Sequence, residues 1–210
     1  RHIECFDNSN IQGEFPVSAC VVFRDGKPSR NEYRHFNIKT VIGADDYASM
    51  EEVVYRRYRR ILEESGPLPN LVVIDGGKGQ LSSAIKALND LELSSKISIV
   101  GIAKRLEEIY FPNDSIPLYI DKRSESLKIL QQARNEAHRF GITFHRKKRS
   151  KSSIKSKLDA VKGIGPSTQK VLLSSFKSIA RLKKSDLNSI ESLIGVAKAK
   201  LIWSWIKQEA

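Results

Sequence analysis

The chain has 210 residues, of which 40% are hydrophobic and 29% charged, with a formal net charge of +12. This balance is typical of a globular chain, and the sequence contains no apolar run near the roughly 20 residues that a membrane span needs. It begins without a secretory signal pattern, and Cys5 and Cys20 lie in apolar runs without zinc-ligand spacing. We therefore expect buried free thiols and a cytoplasmic protein.

The first 140 residues predict a series of strands and helices. Apolar and polar residues alternate in three early segments, and the sequence RDGKP predicts a tight turn between the second and the third. Helical spacing of apolar residues then alternates with short apolar runs. The predicted elements are strands at 3–8, 17–24 and 32–38, a helix at 47–64, a strand at 71–74, a helix at 80–91, a strand at 97–103, a hairpin at 107–120 and a helix at 124–139. This order is typical of a ribonuclease-H-like mixed sheet flanked by helices, in the α/β class.

The positive charge is concentrated near the C-terminus. Residues 151–210 hold 12 Lys or Arg against 4 Asp or Glu, whereas residues 1–150 hold 24 against 20. The basic stretch 146–157 is typical of a linker or of the lead-in to a helix. We predict an α/β domain at 1–150 and a small all-α domain at 151–210. The basic surplus of the second domain indicates a nucleic-acid partner, with a merely basic surface as the alternative.

Two aspartates follow strands that a ribonuclease-H-like sheet places side by side. Alternation puts Cys5 and Asp7 on one face of the first strand, and Val73 and Asp75 on one face of the later strand. Two adjacent carboxylates repel each other unless a divalent cation such as Mg²⁺ or Mn²⁺ neutralises them. The residues alone leave two interpretations open: a metal site, or a helix cap at Asp75 with a turn residue at Asp7.

Residues near these aspartates extend the candidate site. His138 lies on a predicted helix beside an apolar stripe, where it is either a third ligand or a structural residue. The glycine-rich turn after Asp75 opens a helix, and Lys78 and Gln80 either position a phosphate there or cap the surface.

The sequence VKGIGPSTQKVLL, at 161–173, predicts a helix, a hairpin turn and a second helix. Gly163 and Gly165 permit a tight turn, and Pro166 suits an early helical position. Backbone amides at this helix start, together with Lys170, would hold the phosphates of one strand without reading bases. A structural hairpin without a ligand is the alternative.

A second copy of this hairpin is predicted at 190–206. Gly195 keeps the turn, Ala197 replaces the second glycine, and Trp203 and Trp205 are expected to pack in the small core. The candidate DNA-binding residues are Gly163, Gly165, Lys170, Gly195, Lys198, Arg146, Lys147, Lys148 and Arg149.

Five stretches of the chain, taken together and in this order, resemble the C-terminal half of UvrC, the excinuclease C family of bacterial nucleotide excision repair. They are RHIECFDNSNIQGEFPVSACVVFRDGKP, ADDYASM, NLVVIDGGKGQ, RNEAHRFGITFHRKKR and VKGIGPSTQKVLL. The resemblance covers essentially the whole chain. It implies a ribonuclease-H-like endonuclease domain followed by a tandem helix-hairpin-helix domain. It also implies that the chain is part of a longer protein.

The resemblance carries catalytic and metal-binding roles onto Asp7 in the C-F-D-x-S stretch, Asp75 in I-D-G-G-K-G-Q and His138 in E-x-H-R-F. Asp46 either assists catalysis or caps the helix that starts near Tyr47, and we favour the cap. One departure is the sequence DNSN, where many family members have DISH.

The implied function is the metal-dependent 5′ incision of the damaged DNA strand, with Mg²⁺ or Mn²⁺ as cofactor. The implied partners are damaged double-stranded DNA and UvrB, the latter bound through a region outside this chain, and we expect a monomer. A non-catalytic helix-hairpin-helix module of a repair complex is the alternative. An Argonaute-type RNA-guided nuclease would also use two aspartates and a histidine, but the C-terminal hairpins favour duplex DNA.

Overall fold

The computed structural model describes residues 1–11, 14–41, 43–103, 107–159 and 161–208, and the side chains of 9–11, 14–16 and 145–157 lie outside that description. The described chain divides into two compact units, Arg1–His145 and Arg146–Ala210. Among the described residues, no helix combines the length and the apolar composition that a membrane crossing requires.

The first unit is built on a seven-stranded mixed sheet. Its strands are β1 (His2–Ile11), β2 (Glu14–Arg24), β3 (Lys27–Pro28), β4 (Arg34–Asn37), β5 (Leu71–Asp75), β6 (Ser98–Ala103) and β7 (Glu108–Tyr110). The order is β3-β2-β1-β5-β6-β7, and β4 also pairs with β2. The pairs β1–β5 and β5–β6 are parallel, whereas the remaining pairs are antiparallel.

Helices cover both faces of this sheet. The helices α1 (Asp46–Glu63) and α2 (Lys78–Asp90) pack on one face, where Phe6 and Ile74 join their apolar stripes in one buried cluster. The helix α3 (Glu125–Asp159) supplies buried residues to a second cluster that contains Cys5 and Val73. Because successive strand residues point to opposite faces, the central strands β1, β2, β5 and β6 contribute to both clusters.

The predicted α/β class and most predicted elements are confirmed. Both cysteines are buried free thiols, as expected. The predicted hairpin at 107–120 is reduced to β7 and a single bridge, in which the backbones of Ile109 and Leu118 exchange hydrogen bonds of 3.0 and 2.8 Å.

One boundary prediction was wrong. The third helix was expected to end at residue 139, and 146–157 were interpreted as a linker or a helix lead-in, but α3 continues to Asp159. Lys and Arg are good helix formers, so a polar and basic composition does not by itself end a helix. The stretch 146–157 is therefore helical, and the division between the two compact units falls at its start.

The second unit contains the helices α4 (Pro166–Phe176), α5 (Ile179–Lys183), α6 (Leu187–Ile194) and α7 (Val196–Gln208). Their apolar residues form one cluster around Leu172, Ile190 and Ile202, with Trp203 and Trp205 partly buried against it. The two tryptophans thus pack in the small core, as the sequence predicts.

Candidate metal centre and nucleic-acid interface

The two predicted aspartates meet at the carboxyl ends of neighbouring parallel strands. The register pairs Cys5 with Val73 and Phe6 with Ile74, so Asp7 and Asp75 are the next residues on their strands. Phe6 and Ile74 point into the cluster under α1 and α2. The side chains of the following aspartates therefore point to the opposite face, which α3 covers.

These carboxylates are held in a nearly closed environment. Asp7 is 3% exposed and Asp75 is 6% exposed. Burial and the negative charges of Asp75 and Asp7 raise the pKa of the Cys5 thiol, whereas Arg134 acts in the opposite direction. Burial and the two negative charges thus favour the protonated form of the Cys5 thiol.

His138 reaches the same place from α3. The stripe of Leu130, Ala133 and Ala137 on this helix is buried against the sheet, and His138 lies beside it. Its Nδ1 lies 3.0 Å from Oδ2 of Asp7, and its side chain is 44% exposed. The imidazole thus stands at the boundary between the buried carboxylates and solvent.

Asp7, Asp75 and His138 each offer one ligand atom, and these three atoms lie within 4.8 Å of one another. Two carboxylate oxygens and one imidazole nitrogen form a donor set that suits Mg²⁺ or Mn²⁺ and leaves further coordination positions for water and phosphate oxygens. The residues present therefore fit a divalent cation. The structure brings together the three residues that the sequence singled out.

The prediction that Asp46 caps α1 was wrong by one residue. Oδ1 of Asp45 accepts hydrogen bonds from the backbone amides of Tyr47 and Ala48, each at 3.0 Å, so Asp45 is the N-cap. Asp46 is the first residue of the helix, and burial followed by the charge of Asp45 raises its pKa. Its carboxylate is not a member of the three-residue group.

The sequence departure beside Asp7 has a structural role. Nδ2 of Asn8 donates a 2.8 Å hydrogen bond to the backbone oxygen of Asp46, and Oδ1 of Asn8 accepts one from Ser18. Asn8 thus ties the end of β1 to the start of α1, a contact that sequence analysis missed. The only feature of the sequence that pointed to this contact was the polar Asn8 at a position where many family members have an apolar residue.

The glycine-rich turn after Asp75 is shaped by close packing. A Cβ atom on Gly76 would lie 1.6 Å from Oε1 of Gln80, and one on Gly79 would lie 2.4 Å from Cε1 of Tyr47. Gln80 therefore lies over the turn that carries Asp75. At these two positions the space beside the glycine is thus taken by side chains of the protein itself.

Lys78 points toward the segment that follows β7. Its Nζ donates a hydrogen bond to the backbone oxygen of Ser115 and lies 5.5 Å from the ring centre of Tyr110. Lys78, Gln80, Asp46 and the exposed ring of Tyr47 also line an open groove of about 670 Å³ between the starts of α1 and α2. Tyr47 was not singled out from the sequence, although a large aromatic residue in the first turn of a helix is a usable signal.

The first hairpin of the second unit has the expected turn. Gly163 has a φ of +88°, a conformation that favours glycine, and Gly165 directly precedes α4, which begins at Pro166. Lys170 is exposed on this helix.

The second hairpin differs from the prediction. Gly195 has a φ of +81° and ends α6, and α7 begins with the next residue. Ala197 was expected in the turn but lies inside α7, because the turn is compressed to one glycine. Nζ of Lys198 lies 3.2 Å from Oγ1 of Thr168 in the first hairpin.

The basic residues at the start of the second unit were also predicted to contact DNA. The side chains of Arg146, Lys147, Lys148 and Arg149 lie outside the described residues, so their predicted DNA contacts stay predictions.

A family model described as the UvrC RNAse H endonuclease domain matches residues 1–142. The chain belongs to this family. The match confirms the expected UvrC resemblance and the ribonuclease-H-like class of the mixed sheet.

Relatives named UvrABC system protein C match nearly the whole chain. UvrABC system protein C of Flavobacterium psychrophilum is 66% identical over 202 residues, which are 96% of this chain and 34% of that protein. The protein of the same name from Christiangramia forsetii is 61% identical over 209 residues, 100% of this chain and 35% of the relative. The UvrC-family chain thus spans about a third of the length of these relatives.

Solved structures with a similar arrangement include human ENDOV, with a TM-score of 0.36 and 15% identity over 54% of this chain and 50% of that chain. Endonuclease V of Ciona intestinalis, bound to a 24mer DNA containing an inosine followed by a ribo-adenosine, has a TM-score of 0.37 and 19% identity, covering 64% of this chain and 56% of its own. At these scores the likeness carries no argument about the site.

Proposed function

We propose that this chain is a metal-dependent DNA endonuclease that makes the 5′ incision in the damaged strand during nucleotide excision repair. The observation that carries the proposal is the group of Asp7, Asp75 and His138, whose ligand atoms lie within 4.8 Å of one another. Membership in the UvrC RNase H endonuclease family supports the same activity.

The residues would hold Mg²⁺ or Mn²⁺ through the two carboxylates and the imidazole. A divalent ion bound there supplies Lewis-acid activation of water and stabilisation of a leaving oxygen. Asp7 and Asp75 contribute the negative charge that attracts the cation, and their burial excludes water from all but the open side of the site. His138 is either a ligand or a proton carrier, since a neutral imidazole is available near pH 7.

The open side is where the substrate would enter. His138 is partly exposed, and the groove lined by Tyr47, Lys78 and Gln80 begins at the turn after Asp75. The start of α2 directs backbone amides toward this groove, which favours a phosphate group there. We propose that Lys78 and Gln80 help to place the strand, while Asp46 influences the groove by its charge.

The second unit would hold duplex DNA without reading its sequence. Backbone amides at the starts of α4 and α7, together with exposed Lys170 and Lys198, suit contacts to phosphates across a groove. Binding of this kind weakens steeply as the salt concentration rises. We propose that this unit is a tandem helix-hairpin-helix domain and that its grip positions the strand for the first unit.

The remaining assignments follow from the family. We propose that the protein acts as a monomer in the bacterial cytoplasm, on damaged duplex DNA. UvrB would bind through the part of the relatives that this chain does not span. Because damage would be located by the complete repair system, the 210-residue chain alone should bind DNA but nick it slowly.

The test is Mn²⁺-dependent nicking of a labelled duplex by the wild-type chain and by Asp75→Asn, which keeps the shape of the side chain and removes its charge. We expect Asp75→Asn to nick at least about 100-fold more slowly, because several kcal/mol of charge stabilisation depend on the bound cation. DNA affinity should stay within about two-fold of wild type, since the phosphate grip is proposed to lie in the second unit.

Asp90→Asn, at the exposed end of α2, is the matched control for the same change of charge and should nick normally. Full activity of Asp75→Asn would contradict the proposed site. A wild-type chain that binds duplex DNA but shows no metal-dependent nicking would favour the non-catalytic binding module instead.

A further inference from the structure

Arg134 is a buried arginine on the helix that supplies His138. It is 8% exposed, and its Nη1 donates a 2.7 Å hydrogen bond to Oε2 of Glu107. Its Nε and Nη2 lie 3.4 and 3.2 Å from Oδ1 of Asn135. Because these nitrogens already have partners and the guanidinium is shielded from solvent, Arg134 is poorly placed to receive a phosphate from DNA.

The position of Arg134 links it to the proposed metal centre. Arg134 and His138 are four residues apart on α3, so their side chains lie on one face of the helix, one turn apart. The charges of Asp7, Asp75 and Arg134 all act on the buried thiol of Cys5. Arg134 therefore lies near the same buried thiol as the two carboxylates.

Glu107 approaches from the sheet. It precedes β7, and β7 pairs with β6, whose Ile102 is the register partner of Asp75. Glu107 has a φ of +57°, a conformation that is uncommon for residues other than glycine. A residue keeps such a conformation when the surrounding structure holds it in place, and Glu107 is held by its ion pair with Arg134 of α3.

The stacking of Phe140 on His35, with ring centres 3.6 Å apart, holds α3 on the C-terminal side of His138, whereas the apolar contacts on the other side do not by themselves fix the helix along its axis. Ala133 and Ala137, the small residues of the stripe around His138, allow the helix to approach the sheet closely, but contacts of this kind have no preferred direction. A charge-assisted hydrogen bond between a guanidinium and a carboxylate has a defined direction and length. A shift of α3 by a fraction of its 5.4 Å pitch would move His138 out of reach of Asp7.

We propose that the Glu107–Arg134 ion pair is a latch that fixes α3 against the sheet and thereby sets the position of His138 beside Asp7. Arg134 is then a positioning residue of the metal centre, and Glu107 is its anchor on the sheet side. This inference rests on the proposed metal-dependent nuclease function. The latch acts on metal affinity and on turnover, and leaves DNA binding to other surfaces.

The test compares Arg134→Gln and Arg134→Lys with Lys128→Gln in the 210-residue chain. Lys128 lies on the same helix and pairs with exposed Glu125, so Lys128→Gln removes one positive charge and one ion pair away from the site. The measurements are Mn²⁺ affinity by calorimetry, kcat and KM of Mn²⁺-dependent nicking, and the NMR shift of the His138 ring proton Hε1 without metal.

For Arg134→Gln we expect about a 10-fold loss of Mn²⁺ affinity and a similar loss of kcat, the range seen when groups that orient metal ligands are removed. KM for DNA should stay within two-fold of wild type, and the Hε1 signal of His138 should move. Arg134→Lys should recover most of both losses because it keeps a charge for Glu107, and Lys128→Gln should match wild type in every measurement.

Wild-type Mn²⁺ affinity and kcat in a folded Arg134→Gln would overturn the latch, as would equal losses in Lys128→Gln. A raised KM with unchanged kcat would assign Arg134 to DNA binding instead. If Arg134→Gln does not fold, Glu107→Gln, at a more exposed position, must reproduce the same pattern. If the wild-type chain neither binds Mn²⁺ nor nicks, the proposed function fails, and the His138 signal alone still decides whether the latch positions the ring.

Discussion

Glu4 offers the sharpest test of what stabilises the first unit. It lies on β1, three residues before Asp7, and is fully buried. Nη2 and Nε of Arg57 lie 2.5 and 3.2 Å from its carboxylate oxygens, Oη of Tyr58 donates at 3.0 Å, and Nε2 of His2 lies 3.2 Å away. Burial raises the pKa of Glu4, but the contacts with His2 and Arg57 outweigh it and lower the pKa from 4.5 to about 2.

The contribution of Glu4 to the free energy of unfolding follows from the difference between its pKa in the unfolded and the folded chain. A carboxylate with a pKa of 4.5 in the unfolded chain and about 2 in the folded chain stabilises the fold by about 3 kcal/mol at pH 7. Because the folded pKa is the lower one, this stabilisation is complete above pH 4.5 and is lost as the pH falls toward 2. It should amount to about 2 kcal/mol at pH 3.5. Glu4→Gln removes it and also leaves the buried guanidinium of Arg57 without its charge partner.

The assay is urea denaturation of wild type and Glu4→Gln at pH 7 and pH 3.5. We expect Glu4→Gln to lower the free energy of unfolding by about 3 kcal/mol at pH 7, with a smaller difference at pH 3.5. Glu32→Gln is the control, because Arg24 also lowers the pKa of Glu32 to about 2, but this pair is about one-third exposed. Solvent screening should limit its effect to about 1 kcal/mol or less. Equal losses in the two variants would refute the argument that burial decides the magnitude.

Three further substitutions test packing and DNA contacts. Gly101→Ala would place a Cβ atom 3.0 Å from the backbone oxygen of Gly76. We therefore expect urea denaturation to show a loss of about 1–3 kcal/mol in the free energy of unfolding, together with slower nicking. Unchanged stability would contradict the close packing. Gly163→Ala combines a φ of +88° with a 2.8 Å approach to Cδ1 of Leu201, and it should lower the thermal stability of the second unit by about 1–3 kcal/mol in calorimetry. Lys170→Gln should reduce the slope of log affinity against log salt concentration by about 0.9 in fluorescence anisotropy, and an unchanged slope would exclude a phosphate contact.

The sheet and the carboxylate pair could be predicted from local patterns. The alternation of Cys5 and Asp7, and the continuous apolar run that ends at Asp75, determine which faces the residues occupy once the two strands are neighbours. The place of His138 in the site could not be predicted from local patterns, because its distance from Asp7 depends on how α3 packs on the sheet. The family resemblance supplied the link that periodicity alone left open.

The errors have common physical causes. The N-cap was assigned to Asp46 instead of Asp45 because two adjacent aspartates have nearly equal capping propensity, and helix boundaries are the least certain part of a sequence pattern. Ala197 was placed in a turn because sequence spacing does not show that the second hairpin is compressed to Gly195. The contact between Asn8 and the backbone of Asp46 joins residues far apart in the chain, so no local pattern contains it.

The strands at the two sides of the sheet have a consequence for behaviour in concentrated solution. On one side lie β3 and β4, of two and four residues, and on the other lies β7, of three residues. Short outer strands present few backbone donors and acceptors in a row, so they are poor templates for a strand from another molecule. Arg34 and His35 place polar groups on β4 as well. The short, polar outer strands thus protect both flanks of the sheet against self-aggregation.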